Sequence, residues 1–387
     1  MTLRPLSRGY ILLAALVALV VAVSAGIVLV ARTPASAVRS QLAKPPVWVG
    51  TWAGAPAGAE PGTSRGLPGS TVRNIVHTSV GGTAARITLS NLYGIRALRI
   101  GRATVGTVRV TFDGSTRVTI PAGRLVVSDP VRVKIAADAD LVVDVLTASG
   151  GGPVTYHPHA QQLSALVSTG GFEVETSYWR YLTAVDVLTN RADSTVVAFG
   201  DSITDGYQSS VGADRRWPDV LADRVAGRFG VVNAGIAGNR LLTDGRGGRS
   251  GLARFDSDVL GRSGTSTVLV ALGINDVLHG SDAASITAGL RKLTARAHAR
   301  GLRVVGATLT PFGGYARATA RREAVREAVN AAIRSGKIFD TVVDFDRVVR
   351  DPYAPVRMLE RYDSGDHLHP GDAGYRAMGR AVSIAGL

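Results

Sequence analysis

The chain contains no cysteine among its 387 residues. That excludes a disulfide framework, thiolate zinc sites, a cysteine nucleophile and a lipid-modified N-terminal cysteine. Aromatics are sparse at 6%. No second long apolar run follows the N-terminal one. Acidic residues are outnumbered, 30 against 44 Lys and Arg, for a formal charge of +14. The basic residues are dispersed and carry none of the motifs of nucleic-acid modules. Arginine is therefore read as covering exposed faces, and no nucleic-acid partner is expected. At 45% hydrophobic and 19% charged, the chain is long and apolar enough for two domains.

Between Arg8 and Arg32 no charge appears. Such a run is long enough to cross a bilayer as a helix. Ala35-Ser36-Ala37 offers a small-residue cleavage signal as an alternative. Either way residues 1–37 are read as exporting the rest. The chain is anchored by residues 9–31, with Arg4 and Arg8 inside, or released after cleavage near Ala37. Residues 38–70, rich in Pro and Gly, read as a tether and entry loop, with Trp48 and Trp52 suggesting partial docking.

Residues 71–190 alternate apolar and polar side chains, as in VRVTFDGSTRVTI (108–120), where Asp113-Gly114 supplies a turn. This predicts a β-rich accessory domain of sandwich or jelly-roll type. From Asp193 the pattern changes. TVVAFG, VVNAG, TVLVALG, LRVVGATLT and TVVDF read as buried parallel strands, separated by segments of helical spacing. Residues 191–387 are thus predicted to form a doubly wound α/β domain, with its ligand site at the carboxyl ends of the strands.

Four loops at that end carry chemistry. Ser202 follows the first strand, Gly238 the second and Asn275 the third, and Asp366 and His369 precede the final helix. A serine hydroxyl needs a base within hydrogen-bond reach, and His369 is the candidate, with Asp366 to orient it. The Ser202 and Gly238 backbone N–H groups and the Asn275 amide are candidate oxyanion donors. Asp205, Asn239, Arg240 and His367 are candidates for substrate contact; His367 also competes as base, and Asp276 is a candidate helix cap. Two other signals are set aside. Gly62-Thr63-Ser64-Arg65-Gly66 matches a nucleophile elbow but lacks the strand and helix that motif requires. His157-Pro158-His159 lacks a third metal ligand and reads as an ordinary loop.

The blocks FGDSITDG, NAGIAGNR, GIND and DHLHP resemble those of the SGNH superfamily of GDSL-type esterases and lipases. They match its Ser, Gly, Asn and His at Ser202, Gly238, Asn275 and His369, and its D-x-x-H pair at Asp366 and His369. The motif reads GDSI in place of GDSL. The resemblance covers residues 194–387. It implies a flavodoxin-like five-stranded parallel sheet and ester hydrolysis with no metal and no cofactor. It is similar to an exported bacterial branch with a VWVGTW-like start and a β-rich region, likened to sugar-ester deacetylases and arylesterases. The expectation is an exported serine esterase acting on short acyl or sugar O-acetyl groups, on an ester substrate such as an acylated envelope glycan or lipid. The alternatives are acyl transfer to a sugar acceptor, or non-catalytic binding of envelope polysaccharide.

Overall fold

The computed structural model describes residues 44–387, and residues 46–387 form one compact unit. The predicted span 9–31, the cleavage signal near Ala37 and the start of the predicted tether lie outside the described residues. Among the described residues no helix is long and apolar enough to cross a membrane.

Five apolar runs pair as a parallel sheet. Ser194–Gly200 lies between Phe229–Gly235 and Thr265–Ala271, and Arg303–Ala307 and Thr341–Val343 complete the order 2-1-3-4-5. This is the order of flavodoxin-like folds. Val196, Val197, Ala198 and Phe199 are buried without interruption because helices cover both faces. Ala283–His298 forms because Ile286, Leu290, Leu293 and Ala297 fall on one face and Asp282 accepts the Ser285 N–H at 2.7 Å. Trp217–Val225, Ala320–Arg334 and Asp372–Ala381 are the other long helices of this part.

The β-rich part contains two antiparallel sheets around one core. One is built on Val47–Ala53, Leu182–Thr189 and Gly82–Ser90; the other on Thr71–Thr78, Ala139–Ser149 and Leu98–Val105. Val49, Ile87, Leu89, Val185 and Val187 of the first meet Val72, Val76, Ile100, Val143 and Val145 of the second. A third, three-stranded sheet joins Gly58–Ala59, Thr155–His157 and Trp179–Arg180.

Two expectations need correction. The 38–70 segment enters the sheets from Val47. Val47–Ala53 pairs with Leu182–Thr189, and the Gly50 N–H reaches Thr195 Oγ1 at 2.8 Å on the parallel sheet. The alternating 108–120 run does turn at Asp113-Gly114, and Val108–Arg109 and Val118–Ile120 each pair with Leu98–Val105. Arginine does not only cover exposed faces. Arg326, Arg254, Arg216 and Arg180 are buried, each beside a carboxylate.

Candidate active site

Ser202 opens the four-residue helix Ser202–Asp205 directly after the strand Ser194–Gly200. Asp201 caps that helix, its carboxylate accepting the Ile203 N–H at 3.1 Å, and Gly206 ends it in the left-handed region. The tight turn sets the Ser202 side chain at the carboxyl edge of the sheet. Burial pushes the Asp201 carboxyl up to about 7, the Ile203 N–H opposing it and the Asp276 charge adding to it.

His369 Nε2 lies 2.9 Å from Ser202 Oγ, and Nδ1 lies 2.6 Å from Asp366 Oδ2. Asp366 Oδ1 accepts the backbone N–H groups of Leu368 at 2.9 Å and His369 at 2.8 Å. Burial pushes the Asp366 carboxyl up, but the hydrogen bonds from His369 and Leu368 outweigh it and hold the group below its ordinary range. An ionised Asp366 requires the proton on Nδ1. Nε2 is then the acceptor for the Ser202 hydroxyl. Tyr207 packs its ring against His369, with centroids 4.8 Å apart, and so fixes the imidazole plane. His367 turns away. Its Nδ1 meets Asp363 Oδ2 at 2.7 Å and its side chain is half exposed.

Gly238 sits at φ +73° in the loop after Phe229–Gly235. Among the described residues, neither its N–H nor that of Ser202 donates to a protein acceptor. Asn275 Nδ2 donates to the Asn239 carbonyl at 3.0 Å, which holds the amide beside the Gly238 loop and leaves its second N–H to give. The structure thus brings Ser202, His369 and Asp366 into one hydrogen-bonded chain and ties Asn275 to the loop of Gly238.

Three of the candidates for substrate contact serve the scaffold instead. Asp205 is 2% exposed, with Oδ1 at 3.0 Å from His157 Nε2 and Oδ2 accepting the Ala237 N–H at 2.9 Å. Asn239 is fully buried and donates to the Gly247 and Arg249 carbonyls at 2.6 and 2.8 Å. Arg240 folds onto the Asp244 carbonyl. Asp276 caps no helix. It accepts the Leu241 and Leu242 N–H groups at 2.7 and 3.0 Å.

Two residues were not legible as contributors. Arg254 donates to the Gly200 carbonyl at 2.7 Å, the Ala234 carbonyl at 2.8 Å and Asn239 Oδ1 at 3.0 Å, clamping the ends of two strands to the Gly238 loop. His157, read as part of an ordinary loop, is a buried strand residue that reaches in from the β-rich part. His157 lies on a three-residue strand and Arg254 on a five-residue helix, both too short for a periodic signal to flag them. The Gly62–Gly66 decoy lies in turns, outside any strand or helix.

One grouping among the described residues has metal-ligand spacing: His77 with Asp140 and Asp214. Its imidazole already meets Asp138 at 2.9 Å, Asp140 at 3.1 Å and Asp214 at 3.2 Å. Burial alone would push His77 down, and these carboxylates raise it instead, so a protonated ring accounts for the cluster.

Residues 198–377 match the family described as GDSL-like Lipase/Acylhydrolase. This part of the chain is similar to the SGNH/GDSL hydrolases. Thioesterase 1/protease 1/lysophospholipase L1 of Escherichia coli K12 is 37% identical over 89 residues, 23% of this chain and 38% of that protein. The chain therefore spans about two fifths of the length of the curated relatives it matches, at 38%. Among solved structures, a GDSL-like lipase from Bacteroides thetaiotaomicron is 20% identical, covering 50% of this chain and 87% of that one at a TM-score of 0.38. A member of the lipolytic protein G-D-S-L family from Veillonella parvula is 22% identical, covering 48% and 94% at a TM-score of 0.35. The matched region begins inside the strand Ser194–Gly200 and ends in the last long helix, so the Ser202, Gly238, Asn275 and His369 loops fall within it.

Proposed function

We propose that this GDSL hydrolase is a serine esterase that works through an acyl-enzyme on Ser202. One observation carries the reading: Ser202 Oγ, His369 and Asp366 form a continuous hydrogen-bonded chain, with steps of 2.9 and 2.6 Å. As Ser202 Oγ bonds to the ester carbonyl carbon, its proton passes to His369 Nε2, and Asp366 stabilises the imidazolium. The oxyanion takes hydrogen bonds from the Ser202 and Gly238 N–H groups and the Asn275 amide. One such donor is worth about 2.7–4 kcal/mol of barrier. Collapse breaks the bond to the alcohol, which leaves with the proton from His369. Water then repeats the sequence on the acyl-enzyme and releases the acid.

Short acyl groups, including sugar O-acetyl, are the preferred substrates in this reading, and the enzyme acts outside the cytoplasm. The test is a chain-length series of 4-nitrophenyl esters, with a thioester added because the name of the E. coli relative includes that activity. Wild type should turn over the short esters fastest, and Ser202→Ala should lose roughly four to six orders of magnitude in kcat. Equal rates for the two proteins on every substrate would refute the reading. N-terminal sequencing of membrane and secreted fractions tests export. An intact start or a start near Val38 supports it, and recovery in the cytosol alone sinks it.

A further inference from the structure

Beside the proposed site lies a cleft of about 640 Å³, walled on one side by the β-rich part and on the other by the Asp244–Arg249 loop. It approaches the reaction centre at two points. Ala237, next to the oxyanion donor Gly238, lines it. So does His159, whose ring packs on Tyr207 at 5.1 Å, and Tyr207 in turn packs on His369 at 4.8 Å. A group held in this cleft is therefore beside the oxyanion loop and two ring contacts, through His159 and Tyr207, from the base.

The wall is rigid and amphipathic. Tyr156 and Tyr178 meet edge to face with centroids 5.3 Å apart. Tyr178 is held in turn by the Arg180 guanidinium at 5.1 Å, and Arg180 is fixed by two 2.6 Å bonds to Glu60. Opposite stand two arginines. Arg249 gives one bond to the Ala253 carbonyl, at 3.1 Å. Arg246 is exposed and makes no ion pair among the described residues. Asp244, which also lines the cleft, has its carboxylate turned onto the Ser250 N–H at 2.8 Å. The cleft thus offers flat faces with hydroxyl tips on one wall and, on the other, the exposed Arg246 guanidinium beside Arg249, which shares its charge with Asp244.

We infer that this cleft binds the alcohol portion of the ester, and that this portion is an acidic sugar. The inference rests on the esterase reading and extends it to the leaving group. A pyranose ring presents C–H faces to Tyr156 and Tyr178, and its carboxylate meets Arg246 and Arg249. The β-rich part then acts as half of the substrate site.

The test compares three esters on the full chain in detergent: 4-nitrophenyl acetate, an O-acetylated oligogalacturonate, and an O-acetylated neutral galacto-oligosaccharide of equal length. Wild type should favour the acidic over the neutral sugar ester in kcat/KM. Arg246→Glu, at an exposed position that tolerates the change, should shift that ratio toward the neutral ester by about tenfold or more, the size of one lost charge-assisted hydrogen bond. Lys134→Glu, on an exposed strand position away from the cleft, makes the same change in net charge and should leave the ratio in place. Tyr156→Ala should lower both sugar esters relative to the aryl ester. The inference is overturned if Arg246→Glu leaves the ratio unmoved, if Lys134→Glu moves it equally, or if a lysophosphatidylglycerol outcompetes both sugars. Turnover of the aryl ester with no turnover of either sugar also overturns it and leaves the esterase reading intact. Failure on every ester refutes the esterase reading itself.

Discussion

His157 and Asp205 form an ion pair, Nε2 to Oδ1 at 3.0 Å, fully buried between the β-rich part and the parallel sheet. His157 Nδ1 faces the Ala55 carbonyl at 2.8 Å, so both ring nitrogens point at acceptors and both must carry protons. Burial alone would push this imidazole down, and the Asp205 carboxylate and the Ala55 carbonyl outweigh it, holding it raised and charged. Asp205 passes the restraint on to the Ala237 N–H, one residue from Gly238.

That chain of contacts makes His157 a positioning residue for the oxyanion loop. His157→Ala leaves a buried carboxylate without its cation, a loss of about 3–5 kcal/mol. Its kcat on a short ester should fall about tenfold or more with KM little changed. His157→Gln keeps one N–H for Asp205 and should recover most of the kcat, whereas His157→Asn reaches only Ala55 and should not. Steady-state kinetics beside thermal unfolding separates the two effects. Equal kcat for all three variants would reduce His157 to a packing residue.

Asp366→Asn tests the tautomer argument. The asparagine oxygen can still accept the Leu368 and His369 N–H groups, so the loop should hold. Its amide, however, would present N–H to His369 Nδ1 and favour the tautomer protonated on Nε2. That tautomer cannot take the Ser202 proton. The kcat should fall about 10²–10⁴-fold with unfolding temperature nearly unchanged. Wild-type kcat in this variant would show that Asp366 does not set the tautomer.

The parts legible in the sequence are those written in local pattern. Unbroken apolar runs mark the five parallel strands because both faces of each are covered, and the sharp change of pattern at Gly200-Asp201-Ser202 marks the turn that carries Ser202, the proposed nucleophile. His369 was separable from His367 by its three-residue distance from Asp366, which one turn of chain can close. The roles of Asp205 and Asn239 were not legible, because their partners are distant: His157 is 48 residues from Asp205, and Arg254 is 15 from Asn239. A polar residue beside a catalytic block looks the same in sequence whether it faces substrate or a buried arginine. Arg326 shows the same limit. It occupies a helix face that reads as solvated, yet it is fully buried against Asp346 at 2.9 Å. Val47–Ala53 was masked by its Pro- and Gly-rich flanks, since strand pairing across more than a hundred residues leaves no periodic trace.

Gly235, which ends its strand, and Gly238, in the loop after it, should respond to alanine to different degrees. A Cβ on Gly235 would stand 2.2 Å from the Asp205 backbone nitrogen, and backbone cannot give way. Gly235→Ala should therefore destabilise the fold by several kcal/mol, on the order of 3 or more, and lower soluble yield. A Cβ on Gly238 meets nothing nearer than Gly247 Cα at 3.8 Å, so only the left-handed φ resists it. Gly238→Ala should cost about 1–2 kcal/mol in stability and leave a folded protein with reduced kcat. Chemical denaturation of both variants checks the order. Similar losses would mean that close packing does not distinguish the two positions.

Asp201 gives a signed pH dependence. Its carboxyl is raised from 3.8 to about 7 in the folded state, so the native protein holds this proton more tightly than the unfolded chain. The contribution is complete below the unfolded value and is lost as pH rises from about 4 to 7, after which it is flat. Asp201→Asn keeps an oxygen for the Ile203 N–H and carries no charge to bury. Its stability relative to wild type should therefore grow through that window and level off above it, by an amount on the order of 1–4 kcal/mol. Denaturant midpoints for both proteins at half-unit steps between pH 4 and 8 measure the difference directly, and other titrating groups cancel in the subtraction. A difference that stays constant across the range would mean that Asp201 ionises as easily in the folded protein as in water. The burial that holds Ser202's turn would then carry no electrostatic cost.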